Sequence, residues 1–537
     1  MIEADYVVVG AGSAGCVVAR RLTDAGHRVL LLEAGGSDRT LWLQLPIGYG
    51  KSFYDPRVNW MYRTLPDPGL AGRQGYWPRG KVLGGSSAIN AMVFVRGHPG
   101  DFDDWRAMGN LGWSWADVLP WFKRLEDFSG GADAWRGVGG PLRVADVSGD
   151  CHPLCHAYLR AAAELGLPAT PDFNGERMEG VGLFQITVRG GQRMSAARAY
   201  LWPVQRAPNL RIETNALATR IVFDGRRATG IEYERKGARH GARALGGVIL
   251  SAGSIGSPQL LQLSGVGPGH LLRSLGIDVV RDSPGVGRDL QDHLCIDHLY
   301  RSRVATLNQQ LGTWSGRIGV ALRYAAWRRG PLAMSVNQGG GFVRTRPGLT
   351  RPNIQLYFSP LSYTRASPGR RALMRPDSFP GFLLSAQPCR PTSRGTLAIV
   401  SSDPHVAPAI APGSLSTDHD VSEMLEASKL LRRLAAAPSL AEIVATEIEP
   451  GEQVRSDEAL LDDVRRRAST VFHPVGTCRM DPRESAGVVD DELRVHGVAG
   501  LRVVDASVFP TVTSGNTNAP TLMVGEKGAA MILAETA

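Results

Sequence analysis

The hydrophobic pattern opens with an unbroken block, Tyr6-Val7-Val8-Val9, as expected of a strand buried on both faces. It runs directly into Gly10-Ala11-Gly12-Ser13-Ala14-Gly15, followed by a helical stretch, Cys16-Val17-Val18-Ala19-Arg20-Arg21-Leu22. A second apolar block, Val29-Leu30-Leu31-Leu32, ends at Glu33. Strand, glycine turn, helix and strand make a complete βαβ unit, so the chain is expected to begin as a doubly wound α/β domain.

Farther along, the pattern changes period. Residues 40–80 are rich in aromatic residues and proline, and their length suits a loop covering a site rather than a connector. Helical segments are expected around residues 101–126, marked by Asp103, Trp105 and Trp121, and at 152–165, an alanine-rich amphipathic stretch. Alternation in Leu210-Arg211-Ile212-Glu213, Thr219-Arg220-Ile221-Val222-Phe223 and Gly230-Ile231-Glu232-Tyr233, with a turn at Asp224-Gly225, predicts a small β-meander. Val248-Ile249-Leu250 then reads as a buried strand returning to the first sheet. Asn353-Ile354-Gln355-Leu356-Tyr357-Phe358 and Gly381-Phe382-Leu383-Leu384-Ser385 predict an antiparallel sheet, and residues 417–437 an amphipathic helix. Leu501-Arg502-Val503-Val504-Asp505 and a helix at 519–534 return to the opening style. The domain plan is therefore discontinuous. Residues 1–297 are mainly nucleotide-binding, 298–465 mainly a substrate cap, and 466–537 a return to the first domain.

In the opening unit each glycine has a physical task. Gly10 makes the tight turn, Gly12 lets a pyrophosphate approach the backbone, and Gly15 lets helix and strand pack closely. The helix N-terminus presents unpaired N–H groups to the phosphates. Glu33, 18 positions after Gly15, can accept hydrogen bonds from both hydroxyls of an unmodified adenosine ribose.

Composition narrows the function classes. A chain of 537 residues exceeds one compact core, and its 64 glycines and 34 prolines, without a repeat, suit a loop-rich enzyme. The net charge of +9 is carried by arginines that read as scattered, the densest clusters being Arg465-Arg466-Arg467 and Arg370-Arg371 after Pro368-Gly369. A solvated surface is the reading, with some bias toward anionic partners and no nucleic acid. Six cysteines do not form a secreted disulfide framework. Cys151-His152 and Cys155-His156 lack a second ligand pair at suitable spacing, so an ordinary helix face and no metal are expected. No apolar stretch reaches the ~18 residues of a membrane span, and the first strand starts too early to leave room for a leader. A cytoplasmic protein is expected, with peripheral contact at the inner membrane left open.

Four further segments carry chemistry. They are Gly80-Lys81-Val82-Leu83-Gly84-Gly85-Ser86-Ser87-Ala88-Ile89-Asn90, Gly253-Ser254-Ile255-Gly256-Ser257-Pro258, His473-Pro474-Val475-Gly476-Thr477-Cys478-Arg479-Met480, and Asp505-Ala506-Ser507-Val508-Phe509-Pro510 with Ser514-Gly515-Asn516-Thr517-Asn518-Ala519-Pro520-Thr521. With the N-terminal fingerprint they resemble, over residues 4–535, the glucose–methanol–choline (GMC) family of flavin oxidoreductases, in the manner of its bacterial choline dehydrogenase-like and alcohol dehydrogenase-like members.

The resemblance implies a Rossmann-type FAD-binding domain, a substrate domain on an antiparallel sheet, and oxidation of a primary alcohol to the aldehyde. It assigns Gly10, Gly12, Ser13, Ala14, Gly15 and Glu33 to the adenosine diphosphate of FAD. Arg79, Gly84, Asn90, Ala91, Met92 and Val93 fall along the flavin, and Ala218 at the adenine. Asp505, Ala506, Asn518, Pro520 and Thr521 fall at the pyrophosphate and isoalloxazine. His473 and Asn516 are the catalytic pair. Some relatives bond the flavin covalently to a histidine where this chain has Ile89, so non-covalent FAD is expected.

Alcohol oxidation needs a hydride acceptor, flavin N5, and a base for the hydroxyl proton. Histidine, with an ordinary pKa of about 6.5, is suited to the second task. Asn516 can hold the substrate oxygen. His293, within Gly285-Val286-Gly287-Arg288-Asp289-Leu290-Gln291-Asp292-His293, reads as structural, and Cys478 as a packing thiol. The electron acceptor is expected to be a quinone or other carrier. Oxygen with release of hydrogen peroxide is the alternative, and lyase or decarboxylase chemistry on the same fold a remoter one. Phe472, Trp60 and Tyr62 incline the substrate toward an apolar or aromatic alcohol.

Overall fold

A computed structural model describes residues 1–364 and 375–535. The opening strand, Ile2–Val9, pairs in parallel with Val29–Glu33 on one side and with the long strand Ala238–Leu250 on the other. Beyond Val29–Glu33 lies Leu210–Thr214, also parallel. That strand is therefore an edge of the central sheet and not part of the meander. Its alternating pattern is common to both situations, because an edge strand also has one wetter face. The meander consists of Ala216–Asp224, Arg227–Arg235 and the first half of Ala238–Leu250, paired antiparallel. The second half of Ala238–Leu250 joins the parallel sheet and also pairs with Leu501–Val503. One strand thus belongs to both arrangements, which only its 13-residue length permits.

Helix Ser13–Asp24 lies on the sheet, and Gly15 shows why no larger residue fits there. A Cβ at Gly15 would stand 1.9 Å from the Gly10 carbonyl oxygen. The closing helix, Asn518–Ala534, packs across Ser13–Asp24 at Gly525, where a Cβ would come within 3.1 Å of Ala14 backbone. The crossing is also pinned electrostatically. Buried Glu526 accepts from Arg21 Nε and Nη2 at 2.8 and 2.7 Å and from Tyr200 Oη at 2.9 Å. Such a buried pair costs desolvation and is tolerated because the carboxylate is fully engaged. The expected segment at 101–126 is two helices, Pro99–Ala107 and Trp115–Leu125, each closed by a capping box.

The second layer is an antiparallel sheet in the order Val444–Glu449, Leu294–Ser302, Gly381–Pro388, Ile354–Ser359, Gly339–Val343 and Gly180–Leu183. The two stretches singled out by their pattern are direct neighbours, with Leu356 opposite Ala386 and Tyr357 opposite Ser385. Period two decides their faces. Ile354, Leu356, Phe358, Phe382, Leu384 and Ala386 enter a core shared with helices Leu154–Glu164 and Asp418–Ala436. The alternate residues Tyr357, Ser359, Leu383 and Ser385 face the nucleotide-binding layer and roof a cavity. The sheet also takes in Gly180–Leu183, from well before residue 298. The loop at 40–80 holds a hairpin, Tyr62–Asp67 with Arg73–Trp77, beside that cavity. The Arg370-Arg371 cluster lies outside the described residues.

Candidate active site

Because Ile2–Val9, Val29–Glu33 and Ala238–Leu250 run parallel, their C-terminal ends gather at one edge of the sheet, where crevices of open α/β sheets form. Val9, Glu33 and Ser251 all border a cavity of ≈ 920 Å³ there. Gly10 takes φ +97°, and a Cβ on it would lie 2.5 Å from the Ser251 carbonyl oxygen. Gly85, at φ +53°, approaches the backbone of Gly12 so closely that a Cβ would lie 2.6 Å from its Cα. Three helices begin at this cavity, at Ser13, Gly253 and Asn518, and of their first N–H groups only that of Gly253 is taken by a side chain, Asp505. Three positive dipole ends, with the donors left at the starts of the Ser13 and Asn518 helices, make an anion cradle. A pyrophosphate fits it.

Glu33 stands at the far end of the cradle, accepting from Ala11 N at 2.9 Å and Gly35 N at 2.8 Å. Burial pushes its carboxyl up to about 7 against the pull of those two amides. Gly12, Ser13, Ala14, Arg79, Asn90, Ala91, Met92, Val93, Ala218, Asp505, Ala506, Asn518 and Thr521 line the same cavity. Gly15, Gly84 and Pro520 do not reach it. Gly15 lies in the first turn of helix Ser13–Asp24, against Gly10 and Ser251, Gly84 turns at φ +89° with its N–H on the Ala11 carbonyl at 2.8 Å, and Pro520 is buried in the first turn of its helix. Asp505 is occupied by protein donors, Gly253 N at 2.8 Å, Ser257 Oγ at 2.6 Å, and Ser507 N and Oγ at 2.8 and 2.6 Å. It fixes the N-terminus of helix Gly253–Leu263 against the cavity. Ile89 borders the cavity and offers no nucleophile.

At the other end, under the antiparallel sheet, His473 Nε2 lies 3.2 Å from Asn516 Nδ2. The residue before each is conformationally unusual. Phe472 takes φ +72°, a strained conformation for a side chain of its size, and Gly515 takes φ +99° against Val95 and Phe342. Phe472 is held by Arg79 Nη2 on its carbonyl at 2.5 Å and by its own N–H on Thr470 Oγ1 at 2.7 Å. Asp292 Oδ1 accepts from the N–H of His473 at 2.7 Å and of His293 at 2.9 Å, while Oδ2 accepts from Thr470 Oγ1.

The protons on this histidine pair are fixed by one backbone carbonyl. His293 Nε2 is 3.0 Å from the Cys389 oxygen, which can only accept, so Nε2 carries the hydrogen. His293 Nδ1 is then a lone pair, and His473 Nδ1, 3.0 Å away, must donate to it. His473 Nε2 is left as the unprotonated nitrogen, accepting from the Asn516 amide. On the other side the polarity continues, with Gln355 Nε2 donating to Asn516 Oδ1 at 3.3 Å and Gln387 Nε2 to Gln355 Oε1 at 2.9 Å. Burial, then the proximity of His293 and Arg79, holds His473 well below its ordinary 6.5. Burial brings His293 to about 4. Both imidazoles are neutral at physiological pH.

The motif resemblance named His473 and Asn516 as a pair, and the structure brings them together from 43 positions apart. Sequence reading gave His293 a structural role, and in the structure that residue hydrogen-bonds the His473 ring at 3.0 Å and so orients it. Asp292, Thr470, Gln355 and Gln387 were not singled out. The Asp292-His293 pair was visible in the sequence, but its proximity to residue 473 rests on bridges such as Gln291 to Val475, which no local pattern reveals. Cys478 is buried, with its thiol pushed well above the ordinary range, as a packing residue would be. Among the described residues no group of His, Cys, Asp and Glu could hold a metal, and no helix is long and apolar enough to cross a membrane.

Comparison with known proteins gives the same outline. Two family models described as GMC oxidoreductase match residues 4–295 and 391–525. The chain is 43% identical over 542 residues to the mitochondrial choline dehydrogenase of Mus musculus, covering 99% of this chain and 89% of that one. It is 41% identical to an alcohol dehydrogenase [acceptor] of Pseudomonas putida, covering 98% and 95%. Among solved structures, pyridoxine 4-oxidase from Mesorbium loti superposes with a TM-score of 0.88 at 31% identity, covering 98% of each chain.

Proposed function

The chain belongs to the GMC oxidoreductase family, and on that basis we propose that it oxidises a primary alcohol to the aldehyde, with His473 as base and Asn516 as the clamp on the substrate oxygen. Members of the family are flavoproteins, and the anion cradle, Glu33 and the glycine approaches fit FAD, held here without a covalent bond. Bound FAD supplies the hydride acceptor, at N5.

The protein's own part concerns the proton and the geometry. The observation that carries the reading is the unprotonated His473 Nε2, facing the cavity 3.2 Å from the Asn516 amide. An alcohol entering there donates its O–H to Nε2 and takes the Asn516 N–H onto its oxygen. Transfer of the proton to Nε2 makes an imidazolium that still donates from Nδ1 to His293 and from Nε2 to the product oxygen. His293, held at about 4, does not compete for that proton. The chamber wall beside His473 is aromatic. Phe472 packs edge-on to Phe53 at 5.3 Å and Phe53 to Tyr49 at 5.5 Å, a surface for the carbon side of the substrate. Electrons then leave for an acceptor other than nicotinamide.

Anaerobic mixing of the yellow protein with aliphatic, aromatic and amino alcohols tests this reading. Substrates bleach the flavin, and fast recolouring on admitting oxygen identifies oxygen as the acceptor. Failure of every primary alcohol to bleach it would overturn the proposal.

A further inference from the structure

Arginine is concentrated in one part of the chain. From His298 to Pro376, 79 residues contain thirteen arginines and no lysine, aspartate or glutamate, while the rest carries 47 basic and 51 acidic residues. The scattered-arginine reading holds outside this stretch and fails within it. Three of the thirteen, Arg365, Arg370 and Arg371, lie outside the described residues.

At the centre of the stretch is helix Trp314–Trp327, which buries only Val320 and Tyr324. Tyr324 packs with Leu45 and Ala333 and donates to the Gly191 carbonyl at 3.0 Å. The rest of the helix stands in solvent. Trp314 is 78%, Ile318 50%, Leu322 65% and Trp327 70% exposed. At about 100° per residue, Trp314, Ile318 and Leu322 fall at i, i+4 and i+8, and exposed Ala321 and Ala325 fill the same stripe. A solvated helix has no use for such a stripe.

Four arginines flank it. Arg323 and Arg329 share Asp150, at 3.2 and 3.9 Å. Arg317 donates to the Leu311 carbonyl at 2.7 Å, and Arg328 lies over the Tyr324 ring at 5.0 Å, so neither has an acidic partner among the described residues.

We propose that helix Trp314–Trp327 is a docking surface for an anionic lipid bilayer, its apolar stripe entering the interface and its arginines meeting the headgroups. Tryptophan with aliphatic residues on a basic helix is the composition of an interfacial helix. A second copy of this chain would bring arginine against arginine across a twofold axis. A nucleic acid would meet the charge but leave Ile318 and Leu322 without a purpose. The surface adjoins the cavity, since Tyr49 and Val336, near Leu45 and Ala333 in the chain, line it. The docking proposal does not depend on the chemistry at His473.

Flotation of the flavin-loaded protein with vesicles tests it. Binding to phosphatidylglycerol-containing vesicles is expected to exceed binding to phosphatidylcholine vesicles by about tenfold or more and to weaken with salt. The combined variant Trp314→Ser, Ile318→Ser, Leu322→Ser is expected to lose about tenfold or more of that binding. Its flavin content and its turnover with a water-soluble dye acceptor should stay unchanged. Arg317→Gln with Arg328→Gln is expected to bind less and to show a shallower salt dependence. Wild type that ignores phosphatidylglycerol vesicles, or a serine variant that floats as well as wild type, would overturn the proposal. So would a lipid-free dimer of wild type that the serine variant abolishes.

Discussion

Substitutions at His293 isolate its effect on the His473 proton, because asparagine and glutamine each reproduce one half of the imidazole. Asparagine Oδ1 occupies the place of His Nδ1, three bonds from Cα, and keeps an acceptor for His473 Nδ1–H. Glutamine Nε2 occupies the place of His Nε2 and keeps the donor to the Cys389 carbonyl, now 3.0 Å away, but loses the acceptor. His473 is 7% exposed, so its orphaned Nδ1–H costs about 1–3 kcal/mol, and the imidazole gains that much by moving its hydrogen to Nε2. The Asn516 amide can turn to accept it, at the expense of the 3.3 Å bond from Gln355 and the bond to the Tyr357 hydroxyl. The ring would then present N–H where the alcohol needs a lone pair. With each 1.36 kcal/mol worth a factor of ten, His293→Gln should lower the rate of anaerobic flavin reduction by the alcohol about 5- to 150-fold. His293→Asn should stay within a few-fold of wild type. Both should retain flavin, which absorbance reports independently of turnover. A His293→Gln enzyme as fast as wild type, or a His293→Asn enzyme as slow as His293→Gln, would refute the tautomer argument.

His473→Ala should keep its flavin and lose about 10²- to 10⁴-fold in kcat/KM, the range of a general base; full turnover would remove His473 from that role. Gly15→Ala places a Cβ 1.9 Å from the Gly10 oxygen, so it should cost about 1–3 kcal/mol or more and release flavin, read as a lower Tm and a colourless preparation. The kcat/KM–pH profile should stay level through 6.5 and fall only at lower pH, because burial holds His473 below that value; an acid limb centred above 6.5 contradicts this. The histidine contribution to stability should follow the same sign. The unfolded chain takes up protons at His293 and His473 below 6.5 that the folded chain refuses, while buried Glu33 and Asp292, raised to about 7 and about 6, act in the opposite sense. The histidine contribution is therefore read as the larger fall in denaturant midpoint that wild type shows over His293→Asn between pH 6.5 and about 4.

The sequence by itself determined the parts whose physics is local. The turn Gly10–Gly15 between two apolar blocks fixed a βαβ unit, because only glycine tolerates those approaches. Period-two alternation fixed which faces of Ile354–Ser359 and Gly381–Pro388 would be apolar. The motif resemblance supplied His473 and Asn516 without showing that they touch. What only tertiary structure decided depends on contacts between distant segments. Leu210–Thr214 is an edge strand because Val29–Glu33 offers it a parallel partner, which its alternation does not encode. His293 orients His473 because a bridge between Gln291 and Val475 lays the two segments side by side. The tautomer of that pair is set by the carbonyl of Cys389, a group that every residue carries and that no sequence pattern marks. The helix Trp314–Trp327 is the converse case. Its residues were not singled out in the sequence, and only the fold shows that nothing in the described chain covers most of it. Local sequence sets what an element can be, and the free energy of burying it against the rest of the chain decides where it stands and which of its atoms are left to act.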